Sequence, residues 1–171
     1  MEELKFPIGK FTASEVVTKE KLQMWIEVIK FFPEKLLTAV EHLHEGQLEN
    51  RYRPQGWTIR QIIHHCADSH MNSLIRFKLA LTEDTPTIKP YAENLWAELP
   101  DNQIAIESSI KILQGVHERW TKLLENLTEF ELERQFRHPE SGELISLKQN
   151  IGIYAWHCSH HLAHILLAKN N

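Results

Sequence analysis

The sequence predicts an all-α protein built as a four-helix bundle, and three observations carry that expectation. Four long stretches place apolar residues at helical spacing, the openings at Thr58, Thr128 and Ser146 each follow a capping-box pattern, and no stretch reads convincingly as a strand. No internal repeat is present, so one bundle accounts for the chain. A length of 171 residues suits a single domain over 1–171 with a proper core.

Taken in order, residues 1–17 hold Pro7 and Gly9 without a sustained period and read as an extended arm. Thr18 can cap a first helix, whose Leu22, Trp25, Ile29, Phe32, Leu36, Val40 and Leu43 keep the helical period. Pro33 lies inside that run and should kink it or begin a second segment. Residues 45–57 read as a loop, after which Thr58-Ile-Arg-Gln61 opens a second helix to about Glu83. A link from Asp84 to about Ile104 contains Pro86, Pro90 and Pro100, with room for one short helix around Tyr91 to Leu99; it is long for a compact domain. The third helix spans about Ala105 to Leu127, with Ile106, Ile110, Leu113, Trp120 and Leu124 on its apolar face. Thr128 starts a short helical turn, Arg137 to Gly142 is a turn, and Ser146-Leu-Lys-Gln149 opens the fourth helix.

Composition narrows the function. A formal charge of −4 with no basic run argues against a nucleic-acid or anionic-membrane surface. No apolar stretch approaches the ~18 residues of a membrane span, and Met1-Glu-Glu-Leu-Lys5 lacks the order of a signal peptide, so a cytoplasmic protein is expected. Cys66 and Cys158 form no disulfide framework and no zinc knuckle; they read as free, small, buried side chains. The compositional oddity is eleven histidines.

Those histidines concentrate in two stretches. On the fourth helix His157, His161 and His164 fall on one face, with His160 slightly further round, and His157/His161 have the i, i+4 spacing by which one helix offers two nitrogens to one metal. The second helix supplies Ile62-Ile-His-His-Cys-Ala-Asp-Ser-His70, with His65, Ser69, Asn72 and Arg76 on one stripe. If the two helices run antiparallel with level ends, His65 and His161 share one depth near a mouth of the bundle. A divalent metal would satisfy facing polar stripes that otherwise cost free energy between packed helices. His164 is the strongest rival ligand, whereas His64 and His160 point off the shared face, toward supporting or structural roles. His117 lies on an apolar face and reads as a hydrogen-bonded core histidine. Asp68 is the nearest candidate to receive the other ring N–H of His65, or to act as a base. Arg76 is too far along the helix to touch the metal, and it would bind a substrate carboxylate or pair with an acidic neighbour. Trp57, Trp120 and Trp156 read as core or pocket wall, and Tyr91 as lining the mouth.

Gly56-Trp-Thr-Ile-Arg-Gln-Ile-Ile-His-His65, Ala67-Asp-Ser-His-Met-Asn72, Lys89-Pro-Tyr91 and Tyr154-Ala-Trp-His157 with His160-His-Leu-Ala-His-Ile165 resemble the YfiT-like branch of the DinB superfamily over nearly the whole chain. The resemblance implies an up-down-down-up bundle, usually a homodimer, in which three histidines hold one zinc- or nickel-type ion per chain. Carried onto this sequence, the ligands are His65, His157 and His161. Cys158-Ser159 and Gln55 depart from the family pattern at positions that bear on substrate fit and touch no ligand. Three functions follow. The first is metal-dependent hydrolysis of a small molecule by activated water. The second is transfer of a low-molecular-weight thiol, of the bacillithiol type, to an electrophile; the lack of a Glu between His157 and His161 leans that way. The third is a non-enzymatic, metal-binding stress-response dimer.

Overall fold

A computed structural model describes residues 2–13 and 16–170. Four long helices dominate: α2 (Lys19–Val40), α3 (Ile59–Thr82), α5 (Glu107–Leu124) and α7 (Leu147–Lys169). Between them lie single-turn helices α1 (Glu2–Lys5), α4 (Glu93–Trp96) and α6 (Glu129–Leu132), and a two-stranded hairpin of β1 (Gln135–Arg137) and β2 (Leu144–Ser146). The capping boxes at Thr58 and Thr128 close in both directions, which satisfies amide N–H groups that no helical carbonyl can reach. Ser146 accepts from the Gln149 amide at 3.1 Å, so only half of its expected box forms.

Cross-helix partners give the topology. His65 meets His157, Ser69 meets Tyr154 and Ser73 meets Asn150, a descending order that makes α3 and α7 antiparallel. His64 meets Ser109, His70 meets His117 and Phe77 meets Trp120, so α3 and α5 run parallel. Trp25 lies against Gly152 while Lys169 reaches the Ala39 carbonyl, which makes α2 and α7 parallel. The bundle is therefore up-down-down-up. Because α3 and α5 are parallel neighbours, the chain between them must return the length of the bundle, which explains the long proline-bearing link. At Gly152 a Cβ would lie 2.8 Å from the Trp25 ring, so the close approach of α2 and α7 needs glycine there.

Four local expectations are corrected. Residues Glu2–Lys5 form a helical turn where an extended arm is expected, while positions 1, 14 and 15 of that arm lie outside the described residues. The stretch 45–57 contains a 3-10 helix, Glu45–Glu49, held by Arg60 through Glu45 and Glu49. A short hairpin forms because the turn bearing Gly142 at φ 72° brings 135–137 and 144–146 together. Only Phe136 of β1 is buried, and three residues are too few to show a period. Finally, α2 runs through Pro33 as one helix, so no second segment begins there. Proline there leaves the Ile29 carbonyl without its i+4 amide partner, and the His117 ring takes that place, with Nδ1 2.6 Å from the Ile29 oxygen.

Candidate metal centre

His65 on α3 and His157 and His161 on α7 converge, each offering one nitrogen within 4.8 Å of the others. Their ring centroids are 4.4–5.3 Å apart, and the Nε2 atoms of His65 and His157 are separated by 3.2 Å. Two imidazole nitrogens bound tetrahedrally at zinc distances would lie about 3.3–3.4 Å apart, so the spacing fits one first-row divalent ion. The donor set fits as well. Burial lowers the His65 imidazole to about 4, with the neighbouring His160 adding to the shift, and lowers His157 and His161 well below the usual value. Neutral imidazole is the form that ligates.

The three rings open on a cleft of about 360 Å³ whose wall includes Trp57 and Trp156, as the aromatic pattern suggests. Trp57 packs on His65 at 4.6 Å between ring centroids. Gln55 also lines the cleft, with φ at 60°, a left-handed conformation that glycine would adopt without strain.

The other predicted residues divide. A second set, His160, His161 and His164, also gathers one nitrogen each within 4.8 Å and shares His161 with the first. His164 approaches the Lys5 carbonyl through Nε2 at 3.2 Å and stacks on Tyr52, and His160 stacks on Trp156 at 4.3 Å. Both rings thus have protein partners of their own, whereas the set of His65, His157 and His161 joins two helices. His64 points away from the cleft, with Nδ1 2.7 Å from Ser109 Oγ and Nε2 3.3 Å from the Ile104 carbonyl. Asn72 donates to the Asp68 carbonyl, and Arg76 holds the link at the Lys89 carbonyl. Tyr91 does not line the mouth: its ring packs on Trp96 at 4.4 Å, and α4 instead turns Glu93 and Asn94 toward the cleft. Asp68 makes no hydrogen bond to the three imidazoles among the described residues.

Asp68 still titrates unusually. Burial, reinforced by the Asp101 carboxylate, raises its carboxyl from 3.8 to about 6. The folded protein then binds more protons than the unfolded chain between about pH 4 and 6. This contribution to stability is complete below pH ~4 and is lost as the pH rises through ~6. Asp68→Asn should therefore be more stable than the parent at pH 7, by on the order of 1 kcal/mol after allowance for its partial exposure, and about equal at pH 4. Urea melts of both proteins at the two pH values test this, and equal midpoints at pH 7 would refute it.

Residues 29–165 match the sequence profile of the DinB superfamily. The chain belongs to the DinB superfamily. Proteins named "Putative metal-dependent hydrolase" in Bacillus cereus (strain 03BB102) and Bacillus mycoides (strain KBAB4) are each 50% identical over 165 residues, covering 96% of this chain and 95% of theirs. The structure superposes on YfiT from Bacillus subtilis, described as a probable metal-dependent hydrolase with an unusual four-helix bundle topology. That match has a TM-score of 0.94 and 48% identity, covering 98% of this chain and 97% of YfiT. A mycothiol-dependent maleylpyruvate isomerase shares the DinB fold at a TM-score of 0.67 and 13% identity, covering 84% of this chain and 60% of that one.

Within this DinB protein, sequence reasoning missed Glu93, Arg53 and His70. Glu93 and Arg53 line the cleft from segments without a helical period, so no spacing marked them. His70 lies five residues past His65, well off its stripe, yet its Nε2 is 3.0 Å from His157 Nδ1. Only an expectation that ligating histidines have hydrogen-bonded partners would have found it.

Proposed function

We propose that the protein is a metal-dependent hydrolase of small molecules in which His65, His157 and His161 hold one divalent ion, zinc or nickel by their nitrogen donor set. The observation that carries this reading is the convergence of three neutral imidazoles from two helices at the wall of a cleft. Such an ion, with positions left open, supplies Lewis-acid polarisation and brings the pKa of water toward ~7. Glu93 on the same cleft is the proton acceptor: partial desolvation raises its carboxyl above the usual carboxylate value, the Arg76 guanidinium opposing. Arg53 reaches the cleft with Nε lacking a partner and offers positive charge to an anionic substrate group.

The reading is tested with zinc- and nickel-loaded protein on a panel of esters, amides and phosphoesters. Turnover should require metal and should fall about 10²- to 10⁴-fold in Glu93→Gln. A second reading, thiol transfer, is favoured by the lack of any carboxylate hydrogen-bonded to the three imidazoles among the described residues, since a metal-bound thiol needs no protein base. Loaded protein that consumes a low-molecular-weight thiol with an electrophile, and hydrolyses nothing, would replace the first reading by the second. Loaded protein inert in both panels would leave the site structural.

A further inference from the structure

Pro33 has no amide hydrogen, so in α2 the Ile29 carbonyl is free to accept from elsewhere. His117 Nδ1 is 2.6 Å from that oxygen. A carbonyl only accepts, so Nδ1 of His117 carries the hydrogen and, in a neutral ring, Nε2 is left as an acceptor. His117 Nε2 is 2.7 Å from His70 Nδ1, which must therefore be the donor. The same step repeats: His70 Nε2 becomes the acceptor, and at 3.0 Å it receives the Nδ1 hydrogen of His157. Nε2 of His157 is then a bare lone pair, and it is the atom that faces His65.

We infer that Pro33, His117 and His70 form a relay that sets the tautomer of His157 and presents its Nε2 to a metal; His117 and His70 are positioning residues. The inference rests on the assignment of His157 as a ligand. The direction of the relay is forced at one end, because reversing any link would either set a bare nitrogen against the Ile29 carbonyl or require a ring that is not neutral. Neutrality of the rings follows from their surroundings. His70 and His117 are 0% and 1% exposed. Phe32 packs on both, at 5.2 and 5.5 Å, Trp120 meets both edge-on at 6.1 and 5.8 Å, and Tyr154 lies 5.5 Å from His70. Burial accordingly holds His117 near 4. A purely structural network would explain the burial and the hydrogen bonds but would have no reason to end on a ligand nitrogen.

Long-range proton–nitrogen correlation spectra of uniformly ¹⁵N-labelled protein at pH 7, without metal and with one equivalent of zinc, test this directly. His70, His117 and His157 should all show the neutral Nδ1–H pattern in both states. Any one of the first three found as Nε2–H, or charged, overturns the relay. Zinc competition with a chromophoric chelator adds a second readout: His70→Phe and His117→Phe should each weaken affinity about 10- to 100-fold. Unchanged affinity in a folded His70→Phe overturns the proposal, and if that variant does not fold the parent spectra still decide. The failure of the ligand assignment looks different, because His157→Ala would then bind zinc as tightly as the parent.

Discussion

Replacing His65, His157 or His161 with alanine is expected to lower zinc affinity by about 10² to 10³-fold. Structural zinc sites are worth roughly 10–16 kcal/mol with four ligands, so one nitrogen accounts for on the order of 3–4 kcal/mol. The three rings come from two helices, His65 from α3 and His157 and His161 from α7, so each supplies one of three converging nitrogens. His64→Ala makes a sharp control. It breaks the Ser109 and Ile104 contacts and should reduce stability, yet leave zinc affinity unchanged. Chelator competition on the four purified variants reads both outcomes. A parent-like constant in any of the three ligand variants would remove that residue from the site, and weakened binding in His64→Ala would show that the site depends on general packing.

The second large effect is on stability. Trp120 is fully buried and meets Phe77 and Tyr154 edge-on at 5.5 and 5.3 Å, besides the two relay histidines. Trp120→Ala should cost about 3 kcal/mol, the low end of the range for deleting a buried tryptophan. The low end is chosen because its indole N–H is buried without a partner, and removing that group relieves a penalty of ~1 kcal/mol or more. For a chain of this size the midpoint should drop by about 6–12 °C. Thermal and urea melts followed by far-UV circular dichroism measure it. A loss under ~1.5 kcal/mol would mean that the aromatic box collapses around the gap, and it could not then be holding His70 and His117 rigidly.

Much of the site was legible before folding was considered. The i, i+4 spacing of His157 and His161 is a property of one helix, and the depth of His65 follows from its distance past the Thr58 cap. His117 also reads correctly as a hydrogen-bonded core histidine. Tyr91 and Asp68 were misplaced for opposite reasons. Tyr91 lies in a link with no period to orient it, whereas Asp68 stands i+3 from His65, near its face, and the direction of its carboxylate is not set by spacing. Pro33 shows the same limit in the backbone. A proline in mid-helix predicts a break or kink from local rules alone, and the carbonyl it leaves free in α2 is met by His117, a partner from α5.

By itself, then, the sequence determined what periodicity and local hydrogen bonding can encode: four helices, their caps, the apolar faces and a histidine seam on two of them. Tertiary structure decided which nitrogens share a point in space, which carbonyl Pro33 leaves for His117, and which carboxylate of the link reaches the cleft. Those outcomes depend on contacts between residues dozens of positions apart. Their geometry is set only when α3 packs antiparallel to α7 and parallel to α5.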